Sequence, residues 1–292
     1  MFLGYHPIVS CLYFTITICF AVLFLHPYYV VAGLFASVIS HLILSGKRSF
    51  VFLLKLIPIF LFIAFFNPIV NTRGETVLIR ILGRPYTLEA LKYGVVIACV
   101  FVMMILWWGC YSMVFTGDKV INLFGNIVPI ISLLLVMVFR LIPDMRRRIN
   151  NINDARTAIG KGIHNLNSRK DKLLFGISNL GIMFSMSLES GIVTGDSMKS
   201  RGYGTTRRTS FMVYRFTVRD FILILIMIVE TGIIVAFALN GCTKVEFYPR
   251  LLYEPLNEVN IISLIIYISY IMLPIILHLK EIIKWRFLKH II

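Results

Sequence analysis

Apolar stretches long enough to cross a bilayer recur along this chain, separated by short polar breaks and by one long basic segment. Residues 8–25 carry no charged side chain, and His6-Pro7 and His26-Pro27 bracket them. The pattern predicts six membrane-spanning helices, over 8–25, 27–45, 50–68, 93–115, 220–240 and 260–279. Each is close to the ~20 residues that cross a ~30 Å hydrocarbon core. The first run lacks the basic leader and small-residue cleavage site of a signal peptide, and it pairs with the second as a hairpin turning at His26-Pro27. Lys55 sits near the start of the third span, where its long stem can snorkel to the interface. The fourth span ends in Trp107-Trp108 and Tyr111, residue types that favour the headgroup level. Gly33 and Ser37 make a small-xxx-small pair suited to close helix packing.

Between the fourth and fifth spans the pattern changes. Residues 122–142 are apolar but are interrupted by Gly125 and Pro129 and closed by Arg140. A full crossing there would move the basic run that follows to the outer side. The stretch is therefore expected to skim or re-enter the membrane, or to pack against neighbours. A helix is expected from Pro143, which suits a first turn, to Ala158, with Gly160 and Gly162 as stops. A second helix is expected over 171–201, with Gly191–Gly195 as a place to break and Gly202-Tyr203-Gly204 as its end. Its apolar residues cover one broad face, which is amphipathic rather than spanning. The fold class expected is all-α: a polytopic membrane protein of about six transmembrane helices with a helical cytoplasmic coupling domain. The organisation is four spans in 1–115, an interface or cytoplasmic region in 116–219, and two spans in 220–292.

Charge decides the orientation. The 292 residues are 58% hydrophobic with mean hydropathy +0.85, yet the net charge is +15. In a soluble protein that excess would point to nucleic acid; here it follows topology. With both termini inside, the inner segments 46–49, 116–219 and 280–292 hold 2, 16 and 4 of the 29 Lys and Arg, against 4 and 2 in the outer segments. The positive-inside rule then places both termini in the cytoplasm, and no nucleic-acid partner is expected. The Arg146-Arg147-Arg148 run suits anionic headgroups of the lipid bilayer, at about 1 kcal/mol per charge near the surface, as well as a solvated inner face.

Several chemistries lack their residues. No G-x-x-x-x-G-K-[ST] occurs; Gly46-Lys47 has His41 where the first Gly belongs and Arg48 where Ser or Thr belongs, so this chain is not an ATP hydrolase. The five cysteines form no C-x-x-C and the six histidines no H-x-x-x-H, so neither a metal nor a cofactor is expected. An intramembrane enzyme acting on a lipid or isoprenoid would usually pair carboxylates at the inner face, and Asp118, Asp144, Asp154, Asp171, Glu189, Asp196 and Asp220 form no D-x-x-D pair. A permease that binds substrate itself would need a polar path, for which only Lys55, His41 and Glu230 are available. Glu230, in the middle of a span, is a candidate proton relay or a polar contact between helices, with Lys55 or a hydroxyl as partner.

One constellation remains. Ser197 and Ser200 share a helix face, Arg201 falls in the last turn where a cation meets the negative dipole end, and Gly202 permits a left-handed stop. An ordinary helix end has these features; so does a docking tip, since the five donors of Arg201 can grip a partner's carboxylate or carbonyls. Pro85-Tyr86-Thr87-Leu88-Glu89-Ala90-Leu91, Phe115-Thr116 before Asp118, Phe139-Arg140-Leu141-Ile142-Pro143, Ser200-Arg201-Gly202-Tyr203-Gly204 and Arg208-Thr209 follow in that order along the chain. In this arrangement the chain resembles the T component, the transmembrane scaffold, of energy-coupling factor transporters. That family carries two Ala-Arg-Gly motifs on cytoplasmic coupling helices. Here the first is Ala158-Ile159-Gly160, without its arginine, and Arg156 lies nearby as a substitute; the second has Ser200 in place of Ala. The resemblance spans about residues 87–211. It implies a non-enzymatic scaffold in a prokaryotic plasma membrane. Its partners would be two ATP-binding-cassette ATPase subunits and a small substrate-binding membrane subunit for a vitamin or metal ion. Ser197, Ser200, Arg201 and Gly202 would dock one ATPase and Arg156, Ala158 and Gly160 the other, with Arg140, Pro143 and Arg208 structural.

Overall fold

A computed structural model describes residues 4–72, 74–81, 84–117, 119–120, 123, 129–162, 168–205, 214, 216–247, 252–253 and 257–289. The described residues form eight helices and two small hairpins, the all-α polytopic fold expected of a multi-pass membrane protein. The chain divides into two compact units, residues 1–120 with 214–292, and residues 121–213.

The first unit holds α1 (Pro7–Leu23), α2 (Pro27–Ser45), α3 (Lys47–Val70), α4 (Leu88–Val114), α7 (Val218–Leu239) and α8 (Glu258–Lys289). The hairpin of β1 (Val77–Ile81) and β2 (Arg84–Thr87) precedes α4, and that of β3 (Val245–Glu246) and β4 (Leu252–Tyr253) precedes α8. Both His-Pro pairs start helices, with proline in the first turn, where its missing N–H would have no partner anyway. All six predicted spans are therefore helical. Judged by length and hydropathy alone, five of these helices are candidate spans, while α1 has 17 residues, at the short limit. The sixth candidate is α6 (Arg169–Ser200) of the second unit.

The bundle is polar-threaded rather than purely apolar. Tyr13, Tyr267, Tyr270 and Trp107 are fully buried. The Tyr13 hydroxyl donates to the carbonyl of Ile271 (2.9 Å), and Tyr29 donates to Ser263 (2.8 Å), tying α1 and α2 to α8. Tyr13 stacks on Tyr270 at 5.5 Å between ring centres. Trp107 thus belongs to the core, and its neighbour Trp108 faces outward (63% exposed). Neighbouring helical positions point about 100° apart, so the Trp-Trp pair cannot share a headgroup level on one face. Gly33 behaves as its small-xxx-small pattern predicts: a side chain there would collide with Met103 of α4. Gly94 lets α4 approach α3 so closely that a Cβ would stand 2.7 Å from the carbonyl oxygen of Ala64.

At one end of this unit, Asp220 joins the starts of α1 and α7. It accepts from the backbone of His6 (3.1 Å) and from the Thr217 amide and hydroxyl (2.9 and 2.7 Å), a capping box that also anchors the start of α1. Tyr5 lies at the same end, where burial and the nearby carboxylate of Glu281 raise its pKa. The starts of α1 and α7 and the last part of α8 therefore gather at one end.

The Pro85–Leu91 stretch has a local task. Thr87 caps α4 through the Ala90 amide (3.4 Å), and Glu89 accepts from the hydroxyl of Thr76 (2.7 Å) and its amide (3.4 Å). These bonds hold the β1–β2 hairpin against the first turn of α4, beside Gly74 at φ +138°. Glu89→Ala should destabilise this corner by about 1–3 kcal/mol and show as faster limited proteolysis between residues 74 and 84.

Candidate docking tips of the helical hairpin

The second unit is built on α5 (Pro129–Ala158) and α6 (Arg169–Ser200). Pro143 does not begin a helix. It lies inside α5, which runs unbroken from the apolar stretch into the basic one. An interior proline costs one i→i−4 bond, and the apolar run on its N-terminal side is helical enough to carry the chain through it. Nor does α6 break at Gly191–Gly195. Arg208 and Asp118 lie outside the described residues.

The two helices run antiparallel. The Asn179 side-chain amide donates to Asn153 Oδ1 (2.8 Å), and Ser187 meets Met145. Near the connecting loop, Arg156 donates to Ser178 Oγ (2.6 Å), and its guanidinium lies over the Phe175 ring at 4.9 Å. Arg156 therefore braces the hairpin and stands half-buried beside the Ile159 tip.

Both helices end in the same way. In α5, the Gly160 amide bonds the Thr157 carbonyl (3.0 Å) and the Lys161 amide bonds that of Arg156 (2.9 Å), with Gly160 at φ +75°. In α6, Gly202 bonds Lys199 and Tyr203 bonds Met198, both at 3.0 Å, with Gly202 at φ +77°. Each is a Schellman motif, which needs a left-handed residue best supplied by glycine. Ala158-Ile159-Gly160 and Ser200-Arg201-Gly202 thus occupy equivalent positions: a small last helical residue, the C-cap, and the left-handed glycine. The C-cap side chain is Ile159 at one end, 68% exposed, and Arg201 at the other, also exposed. The Ser200 hydroxyl donates to the Ser197 carbonyl (3.0 Å), so both serines keep a compact profile beside Arg201. About 27 residues of α6 separate its end from the stretch beside Ile159, so the tips stand ~40 Å apart at 1.5 Å per residue.

The apolar face of α6 is uncovered. Leu173, Ile177, Leu180, Phe184 and Leu188, spaced three or four apart, are each more than half exposed, while Asn179, facing α5, is buried. Arg140 lies in a groove between the helices, which Arg147, Arg148 and Arg201 also line. Sequence reasoning had missed that Arg140 and Arg201, 61 positions apart in the chain, line one groove. In the first unit, Glu230 takes a hydroxyl as its partner: Ser269 donates to its Oε1 (3.1 Å), and Lys55 lies on the exposed face of α3. All five cysteines are free.

Comparison with protein-family models and with curated proteins returned no match for this chain.

Proposed function

We propose that this chain is the transmembrane scaffold of an energy-coupling factor importer in a prokaryotic plasma membrane, with both termini in the cytoplasm. It would couple ATP hydrolysis by two ATP-binding-cassette subunits to the movement of a small membrane subunit that binds a vitamin or metal ion. The observation that carries the reading is the pair of like-built helix ends, ~40 Å apart on one antiparallel pair. A dimer of ATPases needs two contact points on a single lever, and these ends supply them at the positions where the sequence resembles the family's motifs. The exposed apolar stripe of α6 supports a membrane-embedded partner as its cover, since a face of that size is rarely left in water. Arg169, Lys170 and Lys172 at one end of α6 and Lys199 at the other favour a helix lying along the inner interface over one that crosses.

The test is co-purification of the tagged chain from native membranes in mild detergent. Two ATP-binding-cassette proteins and one small membrane protein are expected. Recovery of the chain alone, at stoichiometric yield and in folded form, would overturn the scaffold reading.

A further inference from the structure

The groove between α5 and α6 carries charge and grease together. Arg140, Arg147, Arg148 and Arg201 line it, with Leu134, Leu141 and Val193 among its apolar walls. Asp144 also lines it and is engaged by Arg148, Nε to Oδ2 at 2.8 Å. Four arginines against one aspartate leave a net +3 on the lining. Along α5 the polarity is graded: Ile131, Leu134, Val138 and Ile142 are exposed apolar residues, and Arg146-Arg147-Arg148 follow within two turns.

We propose that this groove binds an anionic phospholipid, its phosphate held by Arg140 and Arg147 and an acyl chain laid along the apolar wall. Arginine offers phosphate a planar fork of donors, which a choline or ethanolamine lipid answers with a cation of its own. From Arg140 the apolar wall runs to Leu134, six residues or about 9 Å along α5, enough for the first carbons of an acyl chain. An acidic protein surface would answer the charges but leave the apolar wall uncovered; an anionic lipid answers both. The site uses this chain alone and needs no ATPase.

The test is native mass spectrometry on the purified full-length chain in detergent, with added phosphatidylglycerol or phosphatidylcholine. One phosphatidylglycerol should be retained, and phosphatidylcholine only weakly. In Arg140→Gln/Arg147→Gln, phosphatidylglycerol retention should fall roughly thirtyfold, because each interfacial charge counts for about a factor of five. Arg140→Lys/Arg147→Lys keeps the charge and should keep most of the binding, while circular dichroism and gel filtration report whether each variant is folded. Equal retention of both lipids, or unchanged retention in a folded Gln variant, overturns the proposal. Displacement of the lipid by millimolar glycerol phosphate does so too, and assigns the groove to a soluble anion. An outcome either way leaves co-purification of the ATPases to be judged separately.

Discussion

Arg201→Glu is expected to remove the proposed ATPase partners from the purified complex while the chain itself is recovered at the wild-type level. Residue 201 is the C-cap of α6, where the carbonyl end of the helix already carries about half a negative charge. An arginine there is stabilised by the helix and still presents its donors outward. Among the described residues no ion pair engages it, so reversing its charge takes no salt bridge from the hairpin. A carboxylate in the same place meets the dipole with the wrong sign and would repel the partner carboxylate that an arginine would grip. Losing one partner of a buried charged contact costs about 2–5 kcal/mol, which is tens- to thousands-fold in affinity. The companion variant is Ile159→Arg, which places an arginine at the equivalent cap of α5 and should increase ATPase retention on washing. Gly202→Val should resemble Arg201→Glu by a different route, since a β-branched residue at φ +77° unravels the cap. Wild-type ATPase recovery with folded Arg201→Glu would remove this tip from the docking surface.

Gly94→Leu should abolish recovery of a monodisperse protein. Even the Cβ would approach the Ala64 carbonyl oxygen to 2.7 Å and Asn67 Cβ to 3.1 Å. The first contact is with backbone in the middle of a helix, which cannot step aside as a side-chain tip can. Gly94→Ala should lower stability by about 1–3 kcal/mol, the usual cost of overpacking, and leucine should cost more by forcing α3 and α4 apart. Fluorescence-detected gel filtration of detergent extracts measures both. As a control, Gly232→Ala on α7 meets nothing within 4 Å and should behave as wild type. A Gly94→Leu protein as monodisperse and thermostable as wild type would contradict the α3–α4 contact described here.

The two groups of predictions differ in how far the sequence alone could reach them. Spans were legible because hydrocarbon imposes one demand, a run of apolar residues in which every backbone group bonds within its own helix. The stops at Gly160 and Gly202 were legible because a left-handed residue closes a helix and glycine enters that region at least cost. Pro143 was read as a helix start because proline favours a first turn. The continuous α5 shows that a single lost hydrogen bond is outweighed when good helix formers flank it. What Arg156 touches was not legible, because nothing in its spacing reveals Ser178 and Phe175, which approach from another helix.

By itself, then, the sequence determined where the apolar helices of the first unit lie, the places where α5 and α6 end, and the residue at each end. These depend on neighbours within a few positions and on the solvent, and both are written in the local pattern. The tertiary structure decided which glycines are crowded, which tryptophan is in the core, that the two tips share one cap geometry ~40 Å apart, and that Arg140 and Arg201 line one groove. Those facts depend on the packing of helices distant in sequence, where an ångström of approach separates an open face from a collision.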